Sequence, residues 1–144
     1  MISEFQGENR WLSNFWPAKI ELWELKFPSA ENAYQAAKCL YEEDMAQFES
    51  CSAGVAKIKG RNVKMIPGWD GLKLGLMEEI VRQKFSDKNP ELKAKLLLTG
   101  DQELVEGNQW GDRYWGVCRG VGQNHLGKIL MKVRKEIADV PHPV

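Results

Sequence analysis

Phe27-Pro28-Ser29-Ala30-Glu31-Asn32-Ala33-Tyr34-Gln35-Ala36-Ala37-Lys38 is the stretch on which the rest of the chain turns. Pro28 and Ser29 read as a helix start, with Ser29 at the N-cap, and the alanine-rich run that follows is a strong helix former. In that register Glu31, Tyr34, Gln35 and Lys38 fall at i, i+3, i+4 and i+7 and share one face. Ala30, Ala33, Ala36 and Ala37 fill the rest, and small residues let neighbours pack closely. An acid, a phenol, an amide and an amine in front of an alanine back suit the wall of an active site. The same spacing also suits a surface helix whose Glu31–Gln35 and Tyr34–Lys38 pairs face water, and spacing alone leaves both open.

Upstream, Ile20, Leu22, Leu25 and Phe27 predict a hairpin turning near Trp23–Glu24, although that turn lacks the Gly or Asn a tight primed turn prefers. Before it, Trp11-Leu12-Ser13-Asn14-Phe15-Trp16-Pro17 is an aromatic loop. It serves either to cap the core or to present Asn14 and the Phe15 face to a ring. Downstream, the first helix is expected to run to about Tyr41. Further helices are expected near Met45–Phe48 and Ala53–Met65, the latter interrupted at Gly60-Arg61-Asn62 and ended by Pro67-Gly68. A long helix with Asp70 as its cap would then bury Leu72, Leu76, Ile80 and Phe85. Asn89-Pro90-Glu91 opens another, burying Leu92, Leu96 and Leu97 and stopping at Gly100. Glu103–Glu106 is a candidate short strand. Gly107–Gly122 reads as a loop rich in Gly and Trp, and Asn124 caps a last helix with a Leu126, Ile129, Leu130, Val133 stripe. The tail from Pro141 is expected to fray. The fold class is α+β, mostly helical with a small β component, as one domain over 1–144.

The 144 residues carry twenty basic and twenty acidic side chains, so no bulk field argues for nucleic acid or membrane. Cys39, Cys51 and Cys118 are odd in number and widely spaced, with no CxxC and only His125 and His142 beside them. That argues against a disulfide framework or structural zinc and for a reducing, cytoplasmic setting. No stretch has the length of a membrane-spanning helix. Gly120-Val121-Gly122 begins a dinucleotide fingerprint, but His125 stands where the third glycine belongs and no acid follows at the expected distance. A Cys118–His125 nucleophilic pair lacks a visible orienting third group. No His, Cys or carboxylate cluster has metal-ligand spacing, so metal-independent chemistry and no cofactor are expected. Carboxylate and amine chemistry beside aromatic surfaces is what is left, and it suits a nucleoside-like substrate.

The ordered series Ser13-Asn14-Phe15, Ser29-Ala30-Glu31 with Tyr34-Gln35 and Lys38, Gly60-Arg61, Gly68-Trp69-Asp70 with Lys73 and Met77, Lys84-Phe85, Asp112 to Gly116, and Asn124 to Gly127 resembles the NADAR family, in its bacterial YbiA-like branch. The resemblance runs over about residues 5–135. It implies a largely helical α+β fold that cleaves N-glycosidic bonds to ribose. Family substrates include early riboflavin-pathway intermediates and ADP-ribosylated guanine bases, so the expected partner is a nucleotide-like small molecule or ADP-ribosylated nucleic acid. The chain departs from the branch in reading Glu-Asn-Ala-Tyr-Gln where a His and two aromatics are frequent. It also carries an extra Gln-Trp-Gly in the Asn108–Trp115 loop. Both departures bear on substrate identity more than on reaction type.

On this reading Glu31 and Lys38 are catalytic. Glu31 would act on the ribose, and Lys38 would be either a phosphate anchor or an imine-forming amine whose pKa is lowered by burial or by a neighbouring positive charge such as Arg61. Trp69, Trp115 and Trp110 would stack on the base or wall the pocket, with Phe15, Tyr34 and Gln35 lining the site. Asn14, Asn108 and Asp112 would bind ribose or base edges, and Arg61 a phosphate. The alternative is a non-catalytic ADP-ribose or nucleotide-binding module, which would tolerate loss of the Glu31 acid.

Overall fold

The computed structural model describes residues 1–140, and the tail expected to fray from Pro141 lies outside the described residues. The fold is α+β and mostly helical. The chain forms two compact units: Asn14–Asn89, and Met1–Ser13 together with the chain from Pro90 onward.

In the Asn14–Asn89 unit, β1 (Pro17–Leu22) and β2 (Leu25–Ser29) make an antiparallel hairpin. Its turn is Trp23–Glu24, where the sequence places it, and both residues lie in the left-handed region at φ 50° and 67°. Alternation on β1 buries Ala18, Ile20 and Leu22, while Glu21 faces Lys26 across the ladder. The outer edge of β1 is not bare. Lys19 N–H donates to Asn89 Oδ1 at 2.9 Å and Glu21 N–H to Gln83 Oε1 at 2.8 Å. The two side-chain amides return bonds to the Lys19 and Glu21 carbonyls. Two amides two strand residues apart thus stand in for a third strand, satisfying backbone groups that an edge leaves open.

The chain passes directly from β2 into α1 (Ala30–Ala37), and the Ser29 hydroxyl accepts the Asn32 N–H at 3.1 Å as the N-cap. Helix α1 is the hub of this unit, packing on α3 (Ala53–Lys59), α4 (Trp69–Lys84) and both strands. Ala30, Ala33 and Ala36 are fully buried, and Glu31 and Gln35 are buried too at 8 % and 6 % exposed, so the Glu31–Gln35 pair does not face water, while Tyr34 and Lys38 are half-buried. Asn32, also fully buried, donates from Nδ2 to the carbonyls of Phe48 and Cys51, each at 2.8 Å, and so ties their loop to α1. The helix stops four residues short of Tyr41. Its C-cap is Lys38, and Cys39 already bridges to Met65, with Leu40 N–H on Lys64 O and Ile66 N–H on Lys38 O. A strand-like pairing has outcompeted another helical turn.

Helix α2 (Glu42–Ala46) continues into a 3₁₀ turn at Gln47–Glu49, so helix begins three residues earlier than expected near Met45. Helix α3 ends at Lys59, well before Met65. Helix α4 begins at Trp69 with Gly68 (φ 77°) at its N-cap, so Asp70 is a first-turn acid paired with Lys73 and not the cap. Its buried residues are Trp69, Met77, Ile80, Val81 and Lys84, and Phe85 is buried just beyond its end. Leu72 is 48 % exposed and Leu76 only half-buried, against expectation.

In the other unit, α5 (Pro90–Leu98) buries Leu92 and Leu96, whereas Leu97 is exposed. Asn89 precedes it as expected, but its side chain serves β1. Glu103–Glu106 forms no strand: only Leu104 bridges, to Ile2. The Gly107–Gly122 loop contains two short parallel strands, β3 (Gly107–Asn108) and β4 (Val117–Cys118). Helix α6 (His125–Asp139) buries Leu126, Ile129, Leu130 and Val133 as its periodicity predicts. Asn124 stands at its N-cap position but faces away from the helix, accepting from Glu106 N–H and donating to Leu104 O. Each fully buried Leu, Ile or Phe side chain contributes about 1.5–3 kcal/mol through removal from water.

Candidate active site

The first group of candidate residues converges on α1 within the Asn14–Asn89 unit. Glu31 sits in the first helical turn, 8 % exposed, where the positive end of the helix dipole favours a carboxylate. Its backbone N–H, one of the donors a helix start leaves open, is taken by the carbonyl of Asn14 at 3.0 Å. That bond fixes the Asn14 loop beside the acid. The Asn14 amide itself reaches Met77 Sδ on α4 at 3.5 Å.

One turn along the helix, Gln35 donates from Nε2 to Glu31 Oε1 at 2.7 Å. Another turn on is Lys38, half-buried, with its backbone carbonyl held by Ile66 N–H. Burial pushes the Lys38 amine below its ordinary range, while the Glu31 carboxylate and then Cys39 pull it partly back up. The two heads thus act on each other electrostatically, as one helix face requires. Of the two expected sources of the lowering, burial is the main cause, and Arg61, the candidate neighbouring charge, is exposed in the turn after α3.

Tyr34 and Trp69 stack at 5.4 Å between centroids with a 57° tilt. Trp69 is only 6 % exposed, so it walls the unit more than it offers a free face. Phe15 is 43 % exposed, with the Lys57 ammonium 5.8 Å from its ring centre.

The second group lies in the other unit, where Asn108 and Asp112 organise their own loop. Asn108 donates to Glu106 Oε2 and Asp112 O and accepts Asp112 N–H at 3.0 Å. Asp112 Oδ1 accepts the N–H groups of Tyr114 and Trp115 at 3.1 and 2.9 Å. These bonds take up most of what the Asn108 amide can offer a ligand. They also set the half-buried Trp115 edge-on to Tyr114, whose ring lies 4.6 Å from that of His125. Trp110 is 55 % exposed.

Two features escaped the sequence reading. Tyr114 and His125 complete an aromatic cluster with Trp115, for which Tyr114-Trp115 followed by a lone His was the available signal. Lys84 is 1 % exposed on the apolar face of α4, its Nζ 5.2 Å from the Phe85 ring centre and its pKa pushed down by burial to about 7. A lysine in step with Met77, Ile80 and Val81 was its signal. Among the described residues no three of His, Cys, Asp and Glu form a group able to hold a metal, and no helix is long and apolar enough to cross a membrane.

The model of the NADAR domain matches residues 3–138, across both units. The chain is 33 % identical over 132 residues to N-glycosidase YbiA of Escherichia coli, covering 88 % of this chain and 80 % of that protein. It is 36 % identical over 135 residues to N-glycosidase Npun_R5314 of Nostoc punctiforme, covering 89 % and 85 %. A riboflavin biosynthesis protein of Vibrio vulnificus is 34 % identical over 132 residues, although this chain spans only 35 % of its length. The NMR structure of E. coli YbiA superposes with a TM-score of 0.83 at 29 % identity, covering 99 % of this chain and 92 % of that one. A match over nearly the whole chain, with relatives above 30 % identity, is decisive: the chain belongs to the NADAR domain family.

Proposed function

We propose that this protein hydrolyses the C1′–N bond between a ribose and a nitrogen base in a nucleotide-like substrate. Its relatives are named N-glycosidases, and the single observation that carries the mechanism is the pairing on α1 of a buried carboxylate, Glu31, with an amine, Lys38, that burial shifts toward its neutral form. Glu31 stabilises the positive charge that builds at C1′ as the base departs. The C1′–O4′ bond opens with its electron pair going to O4′, which takes a proton, while the base nitrogen forms a double bond to C1′; the neutral Lys38 amine then adds to C1′ and loses a proton. The C1′–base bond breaks with its electron pair going to the base nitrogen, which takes a proton, and water then cleaves the resulting protonated imine to the free sugar and the restored amine.

Two substrates fit this chemistry, an ADP-ribosylated guanine in nucleic acid and a ribosylaminopyrimidine 5′-phosphate. The exposed ring of Trp110 favours the larger, and side-by-side turnover of the two decides. A cytoplasmic setting accords with three free thiols at Cys39, Cys51 and Cys118.

The test of the catalytic reading is Glu31→Gln. Base release measured by chromatography should fall by about a hundredfold or more, on the scale of losing one preorganised electrostatic group, with the fold intact by circular dichroism. Wild-type turnover would remove Glu31 from the catalysis, whereas binding without base release by either protein would leave a binding module.

A further inference from the structure

We infer that Gln35 is a positioning residue for Glu31 and that Gly60 is the seat that holds it. The inference rests on the catalytic reading of Glu31. Gln35 is 6 % exposed, and its Nε2 donates to Glu31 Oε1 at 2.7 Å. The orientation of the amide is chemically forced, because reversing it would set an oxygen against the carboxylate.

The cost of that orientation is visible at the other end of the amide. Gln35 Oε1 is buried with no hydrogen-bond partner among the described residues. A methionine would fill the same space without stranding an acceptor, so the glutamine is there for its donor.

Gly60 shows where the stranded end rests. A Cβ at position 60 would lie 1.9 Å from Gln35 Oε1 and 2.5 Å from Cδ. The backbone gives no reason for glycine at this position: φ is −61° and ψ −19°, ordinary right-handed geometry in which alanine is preferred. The missing methyl is therefore room for the amide, and the amide, backed against the end of α3, cannot swing away from Glu31. A glutamate side chain has three rotatable bonds, and catalysis needs its oxygen held within about half an ångström. Gln35 supplies that hold from one helical turn away.

Two substitutions separate positioning from packing. Gln35→Met keeps length and volume and removes the donor. Gly60→Ala suits the local backbone and presses chiefly on the far end of the flexible Gln35 side chain, with the Ala56 carbonyl oxygen, 3.1 Å from the added Cβ, giving slightly. With an ADP-ribosyl-guanine oligonucleotide and a ribosylaminopyrimidine 5′-phosphate as probes, each single variant should lose about tenfold in kcat with KM within about twofold. Because Gly60 acts through Gln35, the double variant should lose no more than Gln35→Met alone. Melting temperature should change little in Gln35→Met, since the stranded acceptor is lost together with the donor bond to Glu31.

One arm needs no substrate. The Gln35 side-chain amide resonance in a ¹⁵N-correlated spectrum should shift in both Gly60→Ala and Glu31→Gln. Wild-type kcat in Gln35→Met, additive losses in the double variant, or an unshifted resonance in either of the last two variants would each overturn the inference. Wild-type turnover in Glu31→Gln beside a shifted Gln35 resonance would overturn the catalytic role of Glu31 while leaving the Gln35–Gly60 contact standing.

Discussion

A lysine attacks carbon only as the free amine, and in the proposed mechanism Lys38 supplies it, being half-buried, below its ordinary pKa, and held by Ile66 at its backbone. Borohydride added during turnover should therefore trap a sugar adduct on Lys38, detectable by peptide mass spectrometry. Lys38→Arg keeps the charge and loses the nucleophile, so adduct and turnover should both vanish, with kcat down by about two orders of magnitude or more. Normal turnover by the arginine variant would reduce Lys38 to an electrostatic anchor. The shared face of Glu31, Tyr34, Gln35 and Lys38 on α1 was legible because i, i+3, i+4 and i+7 spacing sets it whatever surrounds the helix. Asn108 and Asp112 were less so. A sequence shows an amide and an acid in a glycine-rich loop but not that each is engaged by backbone a few residues away.

The hairpin shows local preference yielding to packing. Trp23 and Glu24 hold left-handed backbone without glycine or asparagine because Ile20, Leu22 and Phe27 are buried in a fixed register on either side. Non-glycine residues in that region cost of order 1 kcal/mol each. The double substitution Trp23→Asn, Glu24→Gly should relieve this strain, stabilising the protein by about 1–2 kcal/mol and raising Tm by about 2–6 °C in a thermal melt. An unchanged or lower Tm would mean that the exposed Trp23 ring contributes more than its backbone costs. Helix α4 makes the complementary point. Leu72 and Leu76 match a helical stripe as well as Met77, Ile80 and Val81 do, and only the position of α1 and β1 against α4 selects the buried set.

For the molecule as a whole, Lys84 sets a pH dependence of stability. Its folded pKa of about 7 lies below the ordinary 10.5, so between these values the unfolded chain binds more protons and stability rises with pH. Cys39, raised from 9.0 to about 11, opposes this above pH 9, where only the unfolded chain loses the thiol proton. Urea unfolding should thus show stability climbing by up to about 2 kcal/mol from pH 7 to 9. Lys84→Met should lose most of that climb. A variant slope equal to wild type would remove Lys84 from the account. Turnover should also survive EDTA and dialysis, and activity restored only by Zn²⁺ or Mg²⁺ would reveal a metal site outside this reading. The sequence by itself determined what depends on near neighbours: the Ser29 cap, the shared face of α1, the α6 stripe, the place of the hairpin turn, and the ordered motifs that carry the family. Only the tertiary structure decided where α1 stops, which face of α4 is buried, why Gly60 is glycine, and that burial shifts Lys38 and Lys84. Each of those depends on atoms distant in sequence competing for the same space, hydrogen bonds or water.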